Sequence, residues 1–266
     1  MSTALLQTEK GEPVATAPHL SYSRINRYLF CPEQYRLYYI ENLRPRVPSA
    51  SLCFGQTVHQ ALAHFFRGYG DPVHFFKEEW LRVQHEPIAY SYRESWDKLA
   101  ERGVLLLQSF IRDELPKLGK IIASEKPFDL SISNLDSPFI GVIDLVAEID
   151  GERTVIDFKT ASQAYDDYEV VLSDQLTAYA LAEPDAQQSA LCVFVKTKEP
   201  RIDWYLAKRT SVQLAEFLAK ASIVGQSIAA GHFYKRPGKQ CGWCDYLPVC
   251  TGDLQATEQS LTRPDA

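Results

Sequence analysis

Two apolar, β-branched runs meet across Asp150-Gly151, and they carry three charged side chains that are costly to bury. Phe139 to Ile149 reads as one strand and Thr154 to Phe158 as the next, because Asp-Gly between alternating hydrophobics is a strong hairpin signal. The first run contains Gly141-Val142-Ile143-Asp144, and the second continues as Asp157-Phe158-Lys159-Thr160. Asp157 and Lys159 are two residues apart, so in a strand both side chains face the same way. Two carboxylates and an amine beside a sheet core must pair with one another or hold a cation. Adjacent carboxylates repel, and a divalent ion is the usual relief. Mg²⁺ takes oxygen ligands, commonly one or two carboxylates together with substrate phosphate. A lysine beside it can orient water or neutralise charge developing on phosphorus.

The cysteines form a second pattern. Cys241, Cys244 and Cys250 make C-x2-C-x5-C, and Cys31 stands far upstream in a Leu-Phe-Cys-Pro segment. Thiolates at such spacing suit zinc or an iron–sulfur cluster, and the spacing alone does not separate them. Disulfides fit poorly with a chain that opens on polar, mixed residues and no apolar secretory core. Cys192, inside Leu191-Cys-Val-Phe-Val195, reads as a small core hydrophobe, and so does Cys53.

The order of these elements resembles the PD-(D/E)XK nucleases, in particular their RecB-like branch. The G-x-x-D strand precedes the D-F-K strand by 157 − 144 = 13 residues, and Gln175-Leu-Thr-Ala-Tyr179 follows with its polar groups on one helix face. Gly55-Gln56-Thr57-Val58-His59 resembles the family's G-x-x-x-H helix. The early cysteine with three late ones resembles the split iron–sulfur motif of AddB-type and CRISPR-associated exonucleases. The resemblance spans residues 21–250. It implies a restriction-endonuclease-like α/β fold, with a mixed central sheet flanked by helices, an N-terminal helical subdomain and a four-cysteine staple. It implies a metal-dependent DNA nuclease, an exonuclease on single-stranded ends. His59, Asp144, Asp157 and the Phe158 carbonyl would hold Mg²⁺ or Mn²⁺, with Lys159 catalytic and Gln175 and Tyr179 contacting substrate or bracing the site. Cys31, Cys241, Cys244 and Cys250 would hold a 4Fe–4S cluster. Related nucleases often carry a glutamate ahead of the hairpin, and Glu125 stands in that place. A helicase, or CRISPR-adaptation or repair proteins, would act in trans.

A chain of 266 residues that is 45% hydrophobic can bury a substantial core. No apolar run approaches the eighteen or so residues of a membrane span, so a cytoplasmic protein is expected. The net charge of −6 does not exclude a nucleic-acid substrate, because phosphate needs a local basic groove rather than a basic average. Arg24, Arg27, Arg36, Arg44 and Arg46 flank Cys31, and Lys235, Arg236 and Lys239 precede Cys241. A centre joining those cysteines would bring the two basic groups together. Arg24, Arg27, Arg36, Lys235, Arg236 and Lys239 are therefore candidate DNA contacts.

Along the chain, residues 1–20 read as a flexible tail. Residues 22–39 read as a helix interrupted at Pro32, with aromatic residues among the arginines. A helical part covers 54–115, with His64 off the His59 face. The catalytic sheet covers 120–207, beginning with strand-like residues 121–125 and 128–133. A helix over 173–181 presents Gln175 and Tyr179, and a hairpin is expected at 190–207. An amphipathic helix over 211–230 ends at Gly231 and leads to the cysteine knuckle by residue 250. Residues 251–266 read as a polar C-terminal tail.

Overall fold

A computed structural model describes residues 19–133 and 135–264 of the chain; most of the expected N-terminal tail lies outside the described residues. Helix α1 (Tyr22–Phe30) begins where the Ser21 hydroxyl accepts the Arg24 N–H. It stops at Cys31, because Pro32 starts a new turn, α2 (Pro32–Tyr35). One wider helical turn, Arg36–Ile40, follows. A two-residue strand, β1 (Arg44–Pro45), precedes three longer helices. These are α3 (Ala50–Phe66), α4 (Pro72–Arg82) and α5 (Trp96–Ser109), capped by Ser49, Asp71 and Ser95. Helix α3 starts four residues before the predicted Phe54, since Ser49 supplies the cap.

The sheet comprises β2 (Leu118–Leu130), β3 (Phe139–Ile149), β4 (Glu152–Ala161), β5 (Gln188–Val195) and β6 (Arg201–Ala207). Its spatial order is β2-β3-β4-β5-β6, antiparallel throughout except for the parallel pair β4–β5. The two short strands expected before the hairpin are one long strand, irregular near Ile121. Asp150 and Gly151 both have positive φ, 53° and 78°, which is the backbone of a tight hairpin turn. The parallel crossover runs through α6 (Asp167–Val171) and α7 (Asp174–Ala182). Helix α8 (Ser211–Ala229) covers the sheet beside α1 and α7 and ends before Gly231 at φ 71°.

Helices α3, α4 and α5 pack on one face of the sheet around Phe54, Phe76, Trp80, Phe110 and Phe158. Helices α1, α7 and α8 bury the sheet's other side through Phe139, Ala178 and Phe217. Lys196, at the end of β5, is 4% exposed. It forms an ion pair with Glu94 and donates to Ser51 Oγ at 2.8 Å, tying the helical layer to the sheet. Cys53 and Cys192 are buried, as their apolar neighbours suggested.

Both predicted tails are corrected where they are described. Leu20 is 3% exposed and pairs with the sheet, its N–H donating to Pro138 O at 2.8 Å. After the knuckle helix α9 (Leu247–Thr251), Asp253 caps α10 (Leu254–Ser260), and Leu261–Thr262 form β7. Strand β7 pairs antiparallel with β1. One leucine decides this: Leu261 is buried with Leu37, Leu43 and Tyr246, so a segment that is polar on average is anchored at one point.

Candidate active site

The β3–β4 ladder is paired up to Leu145–Ile156. The next residues outward are Asp144 and Asp157, so the carboxylates stand where the two strands leave their register. The Phe158 N–H donates to Asp144 Oδ2 at 2.8 Å, replacing the ladder bond lost there. The Phe158 ring packs into the core against Phe66 and Phe110. Alternation along β4 therefore buries Phe158 on one face and leaves Asp157 and Lys159 together on the other. Gly141 is required by packing: a Cβ there would lie 2.6 Å from the Phe128 ring.

Asp157, Lys159, Gln175 and Tyr179 form a closed circuit of one ion pair and three hydrogen bonds. Lys159 Nζ lies 2.7 Å from Asp157 Oδ2 and donates to Gln175 Oε1 at 2.6 Å. Gln175 Nε2 donates to Tyr179 Oη at 2.9 Å, and Tyr179 Oη donates to Asp157 Oδ1 at 3.3 Å. Ser173 caps α7, and one helical turn separates Gln175 from Tyr179, which aims both at β4. Burial pushes the Tyr179 phenol well above its ordinary value, and the negative Asp157 and Asp144 add to that. Tyr179 is thus held as a neutral donor. Asp157 is wholly buried, whereas Lys159 reaches a cavity of about 200 Å³ lined by Gly141, Val142, Gln175 and Tyr179.

His59 extends from α3 with Nδ1 3.5 Å from Asp144 Oδ2. Both line a larger cavity of about 500 Å³ that also holds Gln56, Gln60, His64, Arg67, Tyr69 and Glu125. It adjoins the Lys159 cavity along Val142. Glu125 has φ 49° in the middle of β2, a conformation costly for a non-glycine residue. Its neighbours Ser124 and Lys126 pair with Leu145 and Ile143, which places Glu125 opposite Asp144. His64, set aside by its helical spacing, also lines the cavity, stacked on Phe75 with ring centroids 4.5 Å apart. The cavity is wide enough to span residues five apart on α3. The carboxylates of Asp144 and Glu125, with the His59 imidazole beside Asp144, suit a hard divalent ion. Among the described residues no three His, Cys, Asp or Glu side chains close on one point as a ready-made metal site; these donors line a cavity instead.

Cys31, Cys241, Cys244 and Cys250 line one cavity of about 290 Å³. Several bonds tie the chain segments around it: Glu33 N–H donates to Tyr234 O at 3.1 Å and Tyr28 Oη to His232 O at 2.7 Å. Gln34 Nε2 lies 3.5 Å from Cys244 Sγ. The structure thus brings the early cysteine to the three late ones.

The candidate DNA contacts divide. Arg36 is held between Glu33, at 2.7 Å, and Glu41, so its charge is answered within the protein. Lys235 donates to Cys250 O at 2.9 Å, and Arg236 to Leu29 O; both brace the knuckle. Lys239 opens the short helical turn Lys239–Trp243. Arg24 lies over the Tyr39 ring at 4.3 Å and donates to Tyr35 Oη at 3.3 Å, and Arg27 lies over the Tyr38 ring at 3.6 Å. Tyr28 and Tyr35 belong to the core, and Tyr38 is stacked on arginines, so the aromatic residues of this segment are chiefly structural.

No curated protein matches the chain in sequence. Among solved structures, a candidate exonuclease from Eubacterium rectale superposes with a TM-score of 0.50 at 13% identity, covering 80% of this chain and 79% of that one. The protein SSO0001 superposes with a TM-score of 0.45 at 14% identity, covering 91% of each. The likeness to the first of these is one of fold, and the mixed five-stranded sheet of this chain, flanked by helices, is restriction-endonuclease-like. No helix is long and apolar enough to cross a membrane among the described residues. The model of the PD-(D/E)XK nuclease superfamily matches residues 19–251, and the chain belongs to that superfamily.

Proposed function

We propose that this nuclease is a RecB-like deoxyribonuclease using Mg²⁺ or Mn²⁺, acting as an exonuclease on single-stranded ends, with a structural 4Fe–4S cluster. The observation that carries the catalytic reading is the closed Asp157–Lys159–Gln175–Tyr179 circuit. A structural Asp–Lys pair needs no helix-borne amide and phenol to fix it. Here both groups of the pair are positioned by α7, and of the two it is Lys159 that lines the cavity.

Asp144 and Asp157 would hold the divalent ion, with His59 and the Phe158 carbonyl completing the set and Glu125 facing the same cavity. When bound, such an ion supplies Lewis acidity toward a phosphoryl oxygen and makes water more nucleophilic at neutral pH. The residues do the rest. The Phe158 N–H fixes the Asp144 carboxylate. Gln175 and Tyr179 fix Lys159 and Asp157 before substrate arrives, so little reorganisation remains during reaction. Lys159 lines the cavity beside Gln175 and Tyr179. There its ammonium can stabilise an oxygen that gains charge as the phosphodiester breaks.

Four cysteines around one cavity support a shared metal centre, and thiolate-only ligation admits iron–sulfur or zinc. The resemblance to split-motif exonucleases favours the cluster. The deciding experiment incubates purified protein and its Asp157→Ala variant with Mn²⁺ and end-labelled single- and double-stranded oligonucleotides. Stepwise shortening of single strands by the native protein alone supports the proposal. Equal cleavage by both proteins refutes it.

A further inference from the structure

A second cleft, about 390 Å³, lies between β1, the cysteine knuckle and the start of α3. Its lining includes Arg27, Arg44 and Arg46, against one carboxylate, Asp245. Tyr38 organises it: the guanidinium carbons of Arg27 and Arg44 lie 3.6 and 3.5 Å from its ring centroid. Two guanidinium groups that close cannot share one face, so they sandwich the ring. With both faces covered, Tyr38 has no surface left to stack a base and serves to hold two cations. Arg44 donates to the carbonyls of Tyr38 and Leu43, and Arg46 to that of Glu258 at 3.0 Å. Carbonyls position a guanidinium without cancelling its charge. In a chain of net charge −6, this is a locally positive groove of the kind that selects polyanions.

The cleft adjoins the candidate active site. Gln56 lines both this cleft and the His59–Asp144 cavity. Gln56 and His59 are three residues apart on α3, a rise of about 4.5 Å. We infer that the cleft lined by Arg27, Arg44 and Arg46 takes the sugar–phosphate backbone of a single nucleic-acid strand and delivers it past Gln56 to the reacting phosphate. The inference rests on the nuclease reading for the strand's destination. The cleft is small, about 390 Å³, which favours one strand over a duplex as its occupant. Because the contacts go to phosphate, recognition is indifferent to sequence.

The test separates binding from cleavage. The Asp157→Ala protein is titrated onto fluorescein-labelled oligothymidylate without divalent ions, at several salt concentrations. Arg46→Gln changes an exposed side chain and leaves the fold intact; Arg27→Gln is the second variant, and Arg201→Gln, on the exposed edge strand, is the control for net charge. Arg46→Gln and Arg27→Gln should each weaken binding about three- to tenfold for any sequence, and lower the slope of log affinity against log salt by about 0.7. The control should do neither. Unchanged affinity and slope in Arg46→Gln overturn the inference, as does absence of binding or preference for blunt duplex in the parent protein. Failure of the nuclease reading looks different: oligothymidylate binds through these arginines, yet the native protein with Mn²⁺ cuts nothing.

Discussion

Lys159 donates to Gln175 Oε1 at 2.6 Å, so the ammonium on β4 is positioned by the helix that crosses over it. Tyr179 closes the same circuit on Asp157. The Q-x-x-x-Y element therefore acts on the carboxylate and the amine at once.

Replacing Asp157 or Lys159 by alanine should abolish cleavage. Loss of a single group stabilising the transition state costs about 10²–10³-fold in rate, and Asp157→Ala removes a proposed metal ligand as well. Initial rates on end-labelled single strands with Mn²⁺ measure this, alongside thermal melts to show that the fold survives. Rates within a factor of two of the native protein would sink the assignment.

Tyr179→Phe keeps the ring in its apolar surroundings and removes only the hydroxyl. Asp157 Oδ1 and Gln175 Nε2 then lose a partner, a cost of about 1–3 kcal/mol for buried polar groups. Activity should fall chiefly in kcat, with KM little altered, because the phenol positions rather than binds. A raised KM at constant kcat would mean that Tyr179 touches substrate.

Reconstituted protein should be brown, contain iron and absorb near 400 nm; roughly this wavelength is where thiolate-to-iron charge transfer is expected. Cys241→Ser should lose the colour and unfold at lower temperature, because the proposed centre would tie Cys31 to the knuckle and metal binding is coupled to folding. A colourless protein with stoichiometric zinc would replace the cluster by a zinc staple.

Acid should destabilise the fold through one buried glutamate, Glu183, and one half-buried, Glu94. Burial alone would raise the Glu183 carboxyl, but Lys126 and Arg153 outweigh it and hold the pKa below the ordinary range. For Glu94 burial again opposes, and Lys196 and Ser91 prevail. A lowered folded value means that the stabilisation is present above the unfolded pKa, about 4.3, and is lost as pH falls through the folded one. Unfolding midpoints in urea should drop from about pH 4.5 downward, and Glu183→Gln should flatten that limb. An identical acid limb in the variant would rule Glu183 out as a source.

Gly141→Ala should destabilise by about 1–3 kcal/mol, the range for overpacking, because the new Cβ would meet the Phe128 ring at 2.6 Å. Denaturant unfolding measures the cost. A neutral result would show that Phe128 can swing aside.

The β3–β4 hairpin was legible because its signals are local. Period-two apolarity gave both strands, Asp150-Gly151 gave the turn, and alternation put Asp157 and Lys159 on one side. The starts of α1 and α7 lie within a residue of the helices expected from 22 and 173. His64 lies off the His59 face yet borders the same cavity, because helical spacing describes one helix and not the width of a cavity beside it. The C-terminal segment was misread because its composition is polar, while its fate hangs on Leu261 finding Leu37, Leu43 and Tyr246. Arg36 was counted as a DNA contact because a sequence lists charges without their partners.

The sequence by itself determined which groups could do chemistry and along which strands and helices they lie, since propensity, alternation and turn residues act over a few neighbours. Only the tertiary structure decided which of them meet. Closing Lys159 onto Gln175, seating four cysteines around one cavity and stacking Arg27 and Arg44 on Tyr38 each require chain segments brought together by packing, and packing free energy depends on every element at once.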